Sequence, residues 1–186
     1  MIKEILDYNA KFVANKEYEQ FATDKYPNKK LAIVTCMDTR LIELLPAALG
    51  IKNGDAKIIK NAGGVISSPF GSAMRSLLVA IYELGVEEIM VIGHTDCGVS
   101  HIDSTQMIAE MKNRGIAQHD IDLMRYCGIN FDRWLAGFDT VEQSVAESVD
   151  VVVNHPLVPK DIRVTGYVMD SYTGALSLVC DHQAQH

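Results

Sequence analysis

Apolar residues fall along this chain in short unbroken runs separated by stretches of helical spacing, and the alternation predicts strands interleaved with helices. The run LAIVT at 31–35 predicts a buried strand with Cys36 at its end. Residues 41–49 read as a helix closed by Gly50, a residue suited to a left-handed C-cap. A second strand is expected over 56–60, running into the turn Asn61-Ala62-Gly63-Gly64. Ser68-Pro69 has the form of an N-cap followed by proline at the first helical position. Met74, Leu77, Leu78, Ile81 and Leu84 then recur at helical spacing until Gly85. A third strand is expected over 88–92, with Gly93-His94 at its end.

The polar stretch 100–139 predicts two or three short helices, and Thr140 with Gln143 predicts a capping box for a valine-rich helix over 141–152. That helix should end at Asn154-His155-Pro156. Residues 162–170 predict a fourth strand, and the turn 171–174 leads to a last strand over 175–180, antiparallel to it. The expected fold class is therefore α/β: a single domain over 1–186 with a mainly parallel sheet flanked by helices and an antiparallel edge strand. In such sheets, sites gather beyond the carboxyl ends of the strands, where Cys36 and His94 both stand.

Residues 1–21 interleave Ile2, Ile5, Leu6, Phe12 and Val13 with charges, which predicts an amphipathic helix rather than a signal peptide. No run approaches the ~20 apolar residues of a membrane span, so the expected location is cytoplasmic, with thiols reduced. A net charge of −7, with Lys29-Lys30 as the adjacent basic pair, argues against nucleic-acid binding.

Two motifs carry the chemistry: Cys36-Met37-Asp38-Thr39-Arg40 and His94-Thr95-Asp96-Cys97-Gly98. Two thiolates and one imidazole suffice to hold zinc and leave its fourth position open, as catalytic zinc sites do. Either motif alone is equally compatible with buried core cysteines, and Asp38-Arg40 alone with a surface ion pair. A redox pair is disfavoured because there is no Cys-x-x-Cys. Asp38, held by the Arg40 guanidinium, is placed to orient zinc-bound hydroxide; released, it becomes a fourth metal ligand in a closed resting form.

Cys-x-Asp-x-Arg followed by His-x-x-Cys-Gly resembles the beta class of carbonic anhydrases, in its short bacterial subgroup. The likeness extends to Lys60-Asn61-Ala62-Gly63-Gly64 and to the Gly-Tyr-x-x-Asp…Gly-x-Leu ending from Gly166 to Leu176. The resemblance implies zinc ligands at Cys36, His94 and Cys97, and a controlling dyad at Asp38 and Arg40. It also implies a core of four parallel strands, and a homodimer, or dimer of dimers, in which the N-terminal helix packs on the partner. Longer members carry a glutamine before the first strand, where this chain has only Gln20 nearby. Some bacterial members have a tryptophan three residues before the first cysteine, in an inhibitory bicarbonate pocket; here Ile33 stands there, so that regulation is not expected.

The function implied is reversible hydration of CO2 to bicarbonate and a proton, a lyase reaction. Two other readings compete: zinc-dependent hydrolysis of carbon disulfide or carbonyl sulfide, and a non-catalytic zinc- or bicarbonate-binding dimer. Among lesser candidates, the turn at 61–64 lets backbone approach the zinc cavity rather than cradling phosphate, with Val65, Ile66 and Phe70 as apolar walls. His101 reads as solvent-facing or as a proton relay. Cys127 and Cys180 read as core or partly buried residues.

Overall fold

The β-rich runs form one sheet in the computed structural model, which describes residues 1–182. Its strands are β1 (Leu31–Cys36), β2 (Ala56–Asn61), β3 (Glu88–His94), β4 (Arg163–Met169) and β5 (Leu176–His182). They lie in the order β2-β1-β3-β4-β5, with the first four parallel and β5 antiparallel to β4. The helices are α1 (Ile2–Ala14), α2 (Leu44–Ala48), α3 (Ser72–Leu84), α4 (Ser104–Asn113), α5 (Gln118–Tyr126), α6 (Phe131–Trp134) and α7 (Val141–Val153). The chain is thus an α/β domain with four parallel strands and an antiparallel edge strand.

Strand alternation sends β1 into two cores. Ala32 and Val34 pack with Met74 and Leu77 of α3 and with Val145 and Val149 of α7. Ile33 faces the other way, onto Leu41, Leu45, Ile92 and Met169, and this second core also contains Cys36 and Cys97. The buried hydroxyl of Thr35 donates to the Ile92 carbonyl at 2.9 Å, so the polar residue next to Cys36 is satisfied. Two glycines let α7 lie directly on the sheet. A Cβ at Gly93 would fall 2.5 Å from Val141 Cγ2, and one at Gly166 would fall 2.7 Å from Val145 Cγ1.

Several boundaries differ from the sequence reading. The N-terminal helix does not run to residue 21: Lys16 takes a left-handed φ of 59°, and a 3-10 turn, Glu17–Phe21, follows. The 41–49 helix is a 3-10 turn, Thr39–Leu41, followed by only the five residues of α2. Ser68 does not cap α3, whose N-cap is Gly71. Instead, Ser68 accepts the Phe70 N–H on its hydroxyl and the Gly71 N–H on its carbonyl, closing a turn of its own before the helix begins. Thr140 does cap α7, accepting the Gln143 N–H at 3.3 Å, but the Gln143 side chain turns forward to Glu147 rather than back, so the box is half formed.

The turn after β2 is pressed against the end of β1. Gly64 has φ +68°, and a Cβ there would sit 3.0 Å from both the Cys36 nitrogen and the Thr35 carbonyl carbon. Backbone occupies that space, and backbone gives way less readily than a side-chain tip. Replacing Gly64 with Ala is expected to cost about 1–3 kcal/mol of stability, read from urea denaturation. A loss below about 0.5 kcal/mol would show that the turn can shift aside.

Candidate metal centre

Register and one left-handed residue bring the two motifs together. Thr35 lies opposite Ile92, so β1 and β3 end side by side, with Cys36 and His94 at the same sheet edge. Beyond His94 the Thr95 N–H donates to the Met169 carbonyl at 2.9 Å. Asp96 then turns the chain at φ 52°, a conformation that Asp tolerates better than most residues. The reversal returns Cys97 to the sheet edge, with its Sγ 3.8 Å from that of Cys36. Cys36, His94 and Cys97 are all buried, and their ligand atoms lie within 4.8 Å of one another.

The donor set fits a zinc ion. His94 Nδ1 lies 2.8 Å from the Thr95 carbonyl, which only a protonated Nδ1 can satisfy, so Nε2 is left with a free lone pair. Among the described residues, Nε2 is the buried side-chain polar atom without a hydrogen-bond partner. Such an atom is costly unless something binds it. Burial pushes the Cys97 thiol above its usual range, and nearby Cys36 adds to the shift. Two anionic sulfurs at this separation need a cation between them. Sulfur and imidazole nitrogen suit zinc better than calcium or magnesium, which take oxygen.

Asp38 and Arg40 stand beside this cluster. Asp38 caps the Thr39–Leu41 turn: Oδ1 accepts the Arg40 N–H at 2.9 Å and Nε–H at 3.0 Å, while Oδ2 accepts from an Arg40 terminal nitrogen at 2.8 Å. This side-on pair and the added backbone bond hold the Asp38 carboxyl far below the usual carboxylate range. The same Oδ2 lies 3.9 Å from His94 Nε2, so the carboxylate adjoins the unpaired ligand atom. The sequence motifs did not reveal what lies on the other side of Arg40. Its second terminal nitrogen donates to Asp96 Oδ2 at 2.8 Å and to Ser171 Oγ at 3.4 Å, and the first also reaches the Asp96 carbonyl at 2.8 Å. Nor did the 60–64 motif reveal what Lys60 does: its ammonium donates to the carbonyls of Cys36 and Leu41, each at 3.3 Å, tying together the two ends of the loop that carries the dyad.

The lesser candidates separate. Asn61 clamps its own turn, donating to the Val65 carbonyl at 2.8 Å and accepting the Val65 N–H at 3.0 Å. Val65 and Ile66 line a cavity of about 740 Å³ with Met124, Phe131 and Trp134. Phe70 is exposed and sits edge-on to His155. His101 is exposed at a cavity of about 340 Å³ that it shares with His94 and Cys97. Cys127 is exposed rather than buried, at the C-terminal cap of α5; Cys180 is half-buried on β5. Gln20 is exposed and donates to the Glu17 carbonyl, and Ile33 is core.

Comparison with known proteins finds relatives over most of the chain. Residues 31–176 match the family model described as carbonic anhydrase. The chain is 51% identical over 179 residues to the Bacillus subtilis (strain 168) protein named "Putative carbonic anhydrase YtiB", covering 96% of each chain. It is also 34% identical over 158 residues to a carbon disulfide hydrolase of Acidithiobacillus thiooxidans, covering 80% of this chain and 76% of that one. Among solved structures, a beta-carbonic anhydrase of Trichomonas vaginalis superposes with a TM-score of 0.87 at 35% identity, covering 97% of this chain and 98% of the other.

Proposed function

Since the chain belongs to the beta class of the carbonic anhydrase family, we propose that it catalyses the reversible hydration of CO2 to bicarbonate and a proton. The observation that carries this reading is the orphaned Nε2 of His94, buried beside two cysteine sulfurs and within 3.9 Å of a carboxylate that Arg40 holds in place. Cys36, His94 and Cys97 would hold zinc, with Asp38 as an added ligand only in a closed resting form. When bound, zinc supplies Lewis acidity that lowers the pKa of water and so provides a nucleophile near neutral pH.

The protein's own groups do the rest. The two thiolates offset the charge of the divalent ion. Asp38 accepts a hydrogen bond from the attacking oxygen and fixes the direction of its lone pair toward the CO2 carbon. Its depressed pKa makes it an acceptor and not a store of protons, so the proton released in each turnover passes to solvent buffer. Arg40 keeps the carboxylate ionised and turned to one side.

What the single chain leaves uncovered supports an assembly. α1 has no buried residue, and Ile2, Ile5 and Leu6 are 76%, 63% and 62% exposed. A helix this short is marginal in water without a packed apolar face. We assign that face to a second copy of the chain, giving a homodimer or a dimer of dimers. Among the described residues no helix is long and apolar enough to cross a membrane. A cytoplasmic location, with reduced thiols, suits the proposed site.

Stopped-flow CO2 hydration by metal-quantified protein tests the activity. Turnover proportional to bound zinc is expected; one zinc per chain with no turnover between about pH 6 and 9 would remove CO2 as the substrate. The similarity to carbon disulfide hydrolases favours one second reading, hydrolysis of carbon disulfide or carbonyl sulfide. Sulfide release faster than CO2 hydration at equal zinc content would establish it instead.

A further inference from the structure

Arg40 is held by two carboxylates, of which the proposed mechanism uses one. Its Nε and one terminal nitrogen face Asp38, while the other terminal nitrogen faces Asp96 and Ser171. The two carboxylates draw on different nitrogens, and the nitrogen that meets Asp38 Oδ2 also donates to the Asp96 carbonyl, because a guanidinium carries enough N–H groups to serve both sides at once. Asp96 belongs to the loop between His94 and Cys97, and its left-handed backbone turns both its carboxylate and its carbonyl toward Arg40. Arg40 is therefore bolted to the loop of the second motif, and Asp38 binds a guanidinium already fixed in place.

We propose that Asp96, aided by Ser171, is a positioning residue that anchors Arg40 and so biases Asp38 toward the orienting position and away from the metal. The inference rests on the dyad reading above and adds to it the group that sets the dyad's balance. Its physical basis is preorganisation. A free arginine side chain samples many rotamers, and each time Asp38 leaves it the two must find each other again. An Arg40 tied at its far end stays where Asp38 can return to it. Asp96 is 85% exposed and Arg40 40%, so solvent screens the pair and the effect is modest.

The Asp96→Asn variant suits the test, because asparagine tolerates the same left-handed backbone and keeps the carbonyl that Arg40 also binds. The probe is azide binding to the cobalt(II)-loaded protein, followed by visible absorption, which reports whether the metal has a position that Asp38 leaves open. Removing a negative charge beside the site also alters anion affinity directly. D96N is therefore measured both with Asp38 present and in an Asp38→Ala background, where gating is absent and the direct charge effect remains.

Azide affinity of D96N is expected to be lower than its effect in the Asp38→Ala background implies, by about two- to five-fold. Ser171→Ala, which changes no charge, should shift affinity in the same direction. Equal effects of D96N in both backgrounds would overturn the inference. Arg40→Ala distinguishes that failure from a failure of the dyad reading. If its effect depends on Asp38 while that of D96N does not, the anchor alone is lost; if neither depends on Asp38, the dyad falls with it.

Discussion

Serine in place of Cys97 is expected to strip the protein of zinc and, with it, of nearly all turnover. Structural zinc sites with four ligands bind with roughly 10–16 kcal/mol, so each ligand accounts for roughly 3 kcal/mol, or more than a hundredfold in affinity. Serine cannot replace the lost charge, because its hydroxyl does not ionise near neutral pH. The fold should survive, since serine nearly preserves the shape of the cysteine side chain, whose sulfur lies 3.8 Å from that of Cys36. Cys127→Ser is the control: that thiol is exposed and outside the cluster, and the variant should keep one zinc per chain. The same site predicts how zinc binding depends on pH. Burial holds the Cys97 thiol protonated to higher pH than usual, so zinc must displace a proton to bind. Affinity should therefore climb as pH rises toward that raised pKa, by about tenfold per unit for each proton displaced. Metal titrations of wild type and variant at several pH values check both points. A Cys97→Ser protein that retains stoichiometric zinc would show that the metal lies elsewhere.

The sequence made the site visible for a topological reason. A parallel sheet delivers strand ends to one edge, so the ends of LAIVT and of the 88–92 run had to meet there, and β1 and β3 proved to be neighbours. Cys36 and His94 are legible because sheet geometry carries them. Cys97 is legible only through spacing, since its return depends on the left-handed turn at Asp96 that no hydrophobic pattern encodes. For the same reason the contact between Asp96 and Arg40 was invisible: it joins positions far apart in sequence through one backbone dihedral. Ser68 shows the limit of local signals. Serine followed by proline satisfies the rule for a helix start, yet the hydroxyl closed a turn and left the cap to Gly71. The sequence placed Gly93 at a strand end and Gly166 at the start of a motif without a packing reason for either, and only the closeness of α7 shows that a methyl group would not fit at either.

Asp38→Asn is expected to lower kcat for CO2 hydration by roughly a hundredfold while leaving zinc content at one per chain, a loss typical of misplacing one reacting group. Asparagine is nearly isosteric and can still accept the Arg40 backbone N–H that caps the Thr39–Leu41 turn, so the loop should persist. It cannot accept Arg40 donors on both of its atoms, because one of them is now an amide nitrogen that donates itself. The carboxylate's negative charge and its fixed direction are thus removed together, with little change of shape. Arg40→Lys should be damaged for a different reason. A lysine ammonium presents a point charge where the guanidinium spans Asp38 on one side and Asp96 on the other, so it can pair with one acid but not lock both. Released, Asp38 would be free to take the metal's open position, and the variant's activity should recover in part as pH rises and hydroxide competes with the carboxylate. The asparagine variant has no such competitor and should show no such recovery. Stopped-flow profiles of the two zinc-quantified variants across pH separate these outcomes. An Asp38→Asn protein that keeps half or more of the wild-type kcat would remove the carboxylate from the reaction.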